Sequence, residues 1–297
     1  MINSRFERSA QRMSYGFLCL VPFLAGTLGA WRALRVPGVY QLVGGVLFVT
    51  IWFSAWNLTA RGIRTGGDGC RMRAIAGGLL LIPFALISLL WVGLSTPWDA
   101  TPTENQMRYL VLLVALVSIT GGFVVLKQSL CDAGERLYST LGFGASIMSG
   151  AAYLVWLAFQ VGAWTERART GAAPLSAMSL NDSLDTLLFV ACVLTYLATA
   201  AFAASFGRVG WLGRVASRAF VTASLAAFVF ISVRGLAFPD PTQGSSPWYT
   251  RPGFIAGIPA VPWILPHLLG VILLRRTGNE PAGPHSKYVH APAIGKQ

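Results

Sequence analysis

Apolar runs about as long as a membrane crossing recur along this chain, each closed by a short polar stretch rich in arginine or glycine. They cover residues 14–31, 38–58, 74–95, 109–126, 138–164, 186–207, 219–238 and 254–274. A helix needs about 20 apolar residues to cross a hydrocarbon layer about 30 Å thick, and these runs match that length. They are continuous rather than alternating, which excludes the strands of a membrane barrel. In hydrocarbon, a helix is the other element that satisfies its own backbone. The pattern predicts an all-α fold, a polytopic transmembrane helical bundle of about eight spans, forming a single domain over residues 1–276.

Composition strengthens this reading. Hydrophobic residues make up 54% of the 297 and charged residues 11%, with a mean hydropathy of +0.59. Soluble domains carry about a quarter charged residues. The formal charge of +12 does not point to nucleic acid, because the 23 basic residues sit in short clusters between apolar runs. Assigned to alternate sides of the bundle, 14 of them fall with the N-terminus and 7 on the opposite side, with Lys287 and Lys296 in the tail. The positive-inside rule then puts both termini in the cytoplasm and the protein in the cytoplasmic (inner) membrane. Membrane lipids are the partners this implies, and nucleic acid is not.

Smaller features refine the picture. A basic N-terminal stretch precedes the first run, but Leu28 suits a leader cleavage site poorly, so an uncleaved first helix is expected. The segment 277–297 is polar and proline-rich and reads as a disordered cytoplasmic tail. Cys19, Cys70, Cys131 and Cys192 show no C-x-x-C spacing. Four free thiols are expected rather than disulfides or a zinc site.

Candidate chemistry is sparse. None of the eleven acidic residues falls in the middle of a span. Carboxylate relays, di-metal centres and paired-acid hydrolysis therefore lack their central parts. No metal and no cofactor is expected, and the chain reads as non-enzymatic. His267 stands alone among the apolar runs, without the second histidine a bis-histidine haem needs, and beside Pro262 and Pro266 it reads as a structural residue at a helix break. Ser146 and Ser149 lack the glycine pattern of a serine nucleophile. Gly142, Ser146 and Gly150 instead recur every fourth residue as a face for close helix packing.

Arg234 is the remaining suspect. Sixteen residues beyond Arg218, it lies about 24 Å up its helix and in the outer leaflet. With Gln160, Tyr153, Trp248, Tyr249 and Arg251 it defines a candidate ligand-binding site. The sequence thus predicts an outward-facing pocket that binds or passes an amphipathic or anionic small molecule or lipid. Two alternatives stand beside it. One is a non-catalytic subunit that forms homo- or hetero-oligomers through small-residue helix faces. The other is a lipid-modifying intramembrane enzyme using His267.

Overall fold

The computed structural model describes residues 2–30, 38–93, 100–172, 181–236 and 260–279. Among them are eight α-helices: α1 Ile2–Ala30, α2 Val39–Thr65, α3 Asp68–Gly93, α4 Pro102–Asp132, α5 Leu137–Thr170, α6 Asn181–Arg208, α7 Arg214–Leu236 and α8 Ile264–Asn279. A single 3-10 turn, Val261–Trp263, leads into α8, and no strand occurs among the described residues. The six helices α2 to α7 are long and apolar enough to cross a membrane. Helix α1 is interrupted by Pro22, and α8 has only 16 residues. The chain is built as an integral membrane protein.

Each helix from α1 to α6 packs against its successor, and α8 returns to wedge against α3, α2 and α1. Neighbours run antiparallel, as shown by the pairing of Ser14 with Asn57, Gly122 with Leu80, and Ser217 with Ala203. One end of the bundle therefore carries Glu135 and the last turn of α8, and the other carries Arg108 and the start of α6. The outer surface is apolar. Trp52 on α2 is 68% exposed and Phe230 on α7 is 67% exposed, which is the surface that lipid chains cover rather than water. Trp52 and Trp56 belong to that outer surface, whereas Trp156 and Trp263 are buried.

The helices outrun the apolar stretches that announce them. Helix α4 begins at Pro102 rather than near residue 109 because Thr101 and Glu104 form a capping box: Glu104 N–H donates to Thr101 Oγ1 at 3.2 Å, and Thr101 N–H donates to Glu104 Oε2 at 2.8 Å. Helix α8 likewise runs beyond residue 276, and Thr277 and Gly278 are buried. The helical part thus includes the first residues, 277–279, of the segment 277–297, and residues 280–297 lie outside the described residues. Cys70 lies in α3 and Cys131 in α4, and all four cysteines are free thiols.

Helix α8 starts inside the bundle. Trp263, just before it, packs on Tyr153 at 5.4 Å between ring centroids, and Tyr153 lies sixteen residues into α5, about 24 Å along it. A helix start usually leaves unpaired N–H groups that need water or caps. Pro262 and Pro266 have no N–H to leave unpaired, and the Ile264 N–H is taken by the Val261 carbonyl. That composition lets the start of α8 sit among apolar side chains.

Two other prolines free carbonyls in mid-helix, and each carbonyl is taken by a side chain of another helix. Pro22 removes the donor for Leu18 O, and His267 Nε2–H donates to it at 2.9 Å. Pro83 removes the donor for Leu79 O, and Ser118 Oγ donates to it at 2.8 Å. His267 is fully buried and stands edge-on to Phe84 at 5.2 Å. It lies twelve residues before Asn279, or about 18 Å from that end, deeper than the end of the apolar run suggests. Its bond fixes the Nε2–H tautomer, because a carbonyl only accepts.

At the end that carries the last turn of α8, Glu135 ties α5 to α6. It is 5% exposed. Its carboxylate accepts from Tyr138 N–H at 3.0 Å, Ser139 N–H at 2.9 Å and Ser205 Oγ at 2.8 Å. Burial pushes its pKa upward, but the donors from Ser205, Ser139 and Tyr138 outweigh burial and hold it below the usual carboxylate range. A depressed folded-state pKa means the stabilisation is complete above the ordinary value and is lost as the pH falls through the lowered one. Glu135→Ala is expected to cost about 1–2 kcal/mol in thermal unfolding of the purified protein. On acidification below about pH 4.3, the wild-type melting temperature should fall more steeply than that of Glu135→Gln. Parallel profiles would remove the latch from the account.

Candidate functional site

The residues singled out from sequence divide into three groups. Trp248, Tyr249 and Arg251 lie outside the described residues. Arg234 falls near the end of α7, and the Ser217–Ala203 pairing sets the register that brings position 234 level with Thr186 of α6. Helix α7 leans chiefly on α6, so α6 stands between Arg234 and α5. Tyr153 and Gln160 share one face of α5, seven residues apart, and Trp156 lies between them on that face.

Tyr153 is an interior residue. It is 1% exposed, and its hydroxyl meets Cys192 Sγ of α6 at 3.3 Å. One turn below, Ser149 Oγ donates to Ala191 O at 2.7 Å and meets Thr195 Oγ1 at 2.7 Å. These hydroxyls, with Thr120 of α4 and Trp263, line a small pocket in the middle of the bundle. The small-residue face of α5 is spent inside the same bundle. A side chain at Gly150 would meet Thr120 Oγ1 at 2.9 Å, and one at Gly142 would meet Phe202 at 3.1 Å.

Above Tyr153 the same interface becomes polar, and here the structure places a group the sequence pattern assigned to a loop. Arg108, on the second turn of α4, is 4% exposed, and Asn105 is 1% exposed. Arg108 Nη1 donates to Asn105 Oδ1. The neighbouring Tyr109 lies edge-on to Trp156 at 5.7 Å and within reach of Trp164 and of Asp185 of α6. One Asp185 carboxylate oxygen is sealed from solvent. Gln106 Nε2 donates to Thr165 Oγ1 at 2.9 Å and closes α4 against α5 just beyond.

Helical periodicity aligns Tyr153, Trp156, Gln160 and Trp164 on α5 with Asp185, Leu188, Cys192 and Thr195 on α6. Together with α4 they form one column, aromatic and hydroxyl-lined at mid-bundle and charged at its end. A guanidinium does not shed its proton under protein conditions, so its burial sets a cation at a depth where charges are rare and usually functional. The signal that could have found Arg108 is the T-P-T-E capping box, which starts α4 early enough to put Arg108 inside it.

Among the described residues no cluster of three or more His, Cys, Asp or Glu side chains is arranged to hold a metal ion. Comparison with known protein families, curated proteins and solved structures finds no match.

Proposed function

We propose that this membrane protein binds or passes an amphipathic or anionic small molecule or lipid at the bundle end formed by α4, α5 and α6. The observation that carries the reading is the burial of Arg108 beside Asn105 at the head of an aromatic column. Gln160 and Tyr153 continue that column, and Arg234 reaches the same level from α7. Trp248, Tyr249 and Arg251, which follow Arg234 in the sequence, are the aromatic and basic side chains this reading would add to the site. The excess of arginine at the Glu135 end sets that end in the cytoplasm of an inner membrane, so the Arg108 end opens outward.

The pocket has an expected signature. Purified protein in neutral detergent should be stabilised against heat by dodecanoate or dodecyl phosphate, by RT ln(1 + [L]/Kd). Arg108→Gln should abolish that shift, and Arg108→Lys, which keeps the charge without the bidentate fork, should weaken it. Arg214→Gln, at the far end, should leave it intact. Equal shifts in all four proteins would end the proposal.

A second reading, an assembly partner in a larger membrane complex, draws on α7. That helix packs chiefly on α6 and presents Val229, Phe230 and Val233 outward. A monodisperse monomer after mild-detergent purification counts against it.

A further inference from the structure

Ser149 Oγ of α5 lies 2.7 Å from Ala191 O and 2.7 Å from Thr195 Oγ1, and Thr195 Oγ1 lies 2.8 Å from the same carbonyl. Each hydroxyl has one hydrogen and two lone pairs. With one hydroxyl donating to the carbonyl, the other donates to that hydroxyl, and both hydrogens are spent. Lone pairs remain on both oxygens, and the one hydrogen of the Tyr153 hydroxyl fills at most one of them. Ser149 and Thr195 are 4% and 3% exposed, so bulk water does not supply the missing donors.

These hydroxyls face a cavity of about 10 Å³ that Thr120 of α4, Ser146 of α5 and Trp263 also line. That is about the space one water occupies, and a water held there needs about two to four polar partners. Thr120 Oγ1 stands close against α5, since a Cβ at Gly150 would meet it at 2.9 Å. We propose that the cavity binds a single water molecule, which donates to the Ser149–Thr195 pair and accepts from Thr120. Through it α4 is hydrogen-bonded to α5 and α6 at mid-depth. An anion would bring only further lone pairs to an acceptor-rich site. A monovalent cation suits oxygen lone pairs, but no carboxylate lines the cavity among the described residues, and uncompensated charge is costly at this depth. The water is independent of the ligand proposed above, because Thr120 lies twelve residues along α4 from Arg108, about 18 Å away.

Radiolytic labelling tests this on the full-length protein in nanodiscs: a short X-ray pulse turns a bound water into a hydroxyl radical that oxidises the side chains beside it. Phe123 lines the cavity and Phe84 packs elsewhere, against His267, yet the two are 3% and 4% exposed. Oxidation is expected on Phe123 and Tyr153 and not on Phe84. Equal labelling of the two phenylalanines, or none on either, overturns the proposal, and this comparison needs no variant. Thr120→Val and Ser149→Ala each remove one partner without adding bulk, and each should lose the Phe123 label. Label kept at the wild-type level in either variant overturns it. The melting temperature should be the same in sodium, potassium and choline chloride. A rise specific to sodium or potassium identifies an ion in the cavity and overturns the assignment to water.

Discussion

His267→Leu is expected to destabilise the protein far less when Pro22 is also replaced by alanine. In the wild type, leucine fills most of the imidazole's volume but leaves Leu18 O without a donor in a region that offers no water. An unsatisfied buried acceptor costs about 1–3 kcal/mol. Pro22→Ala restores the backbone N–H that an uninterrupted α1 would direct at the same carbonyl, so the histidine loses its task. The two substitutions should therefore couple by about 1 kcal/mol in mixed-micelle unfolding, within the range measured for hydrogen bonds between membrane helices. The single His267→Ala variant, which also opens a cavity, should cost about 3–5 kcal/mol. Strict additivity would mean that His267 serves something other than the proline break.

The second large effect is steric. Helix α8 is pressed backbone to backbone against its neighbours through glycine. A Cβ at Gly62 would run into the Thr277 carbonyl, and one at Gly278 into the Leu58 carbonyl. Neither obstacle is a flexible side chain that can swing aside. Gly62→Ala or Gly278→Ala should expel α8 from its seat, and with it the His267 bond to α1. The measurable result is loss of the monodisperse peak, beyond the ~1–3 kcal/mol of ordinary overpacking. Gly144 and Gly162 have open space where a Cβ would go, and alanine there should be neutral or stabilising by up to about 1 kcal/mol. If all four substitutions behave alike, the close approach of α8 is not what holds it.

Much of this architecture is written in the apolar pattern, because a segment that must bury its backbone in hydrocarbon has to be long, helical and apolar. The runs at 38–58, 74–95, 138–164 and 186–207 each mark a helix, α2, α3, α5 and α6. Hydropathy is blind to where a helix ends once it leaves the apolar layer, since polar turns remain helical when capped. Arg108 was hidden by that blindness. The run at 254–274 overstates the other edge, because α8 begins only at Ile264 and hydropathy does not register the two prolines that set its start.

The structural role of His267 was legible, but its partner was not. Sequence pointed to carbonyls freed by Pro262 and Pro266 nearby, whereas the bond closes on a carbonyl freed by Pro22, 249 positions from His267 by Leu18's place in the chain. No local pattern encodes such a pairing. It arises from the depth at which α8 enters the bundle. The same holds for the candidate site: the sequence named Tyr153 and Gln160 as candidates around Arg234, while the residues that neighbour them in the structure, Arg108, Asn105 and Asp185, come from two other helices.

The central claim is that the Arg108 end of the α4–α5–α6 column receives an anionic head. Photolabelling tests it most directly, with a diazirine-bearing benzoate applied to the full-length protein in nanodiscs and the adducts mapped by mass spectrometry. Label is expected on Arg108 and Tyr109, on the stretch from Trp156 to Trp164 and around Asp185, and excess dodecanoate should suppress it. Adducts confined to the outward faces of α2 and α7, or to the arginine-rich Glu135 end, would contradict the claim.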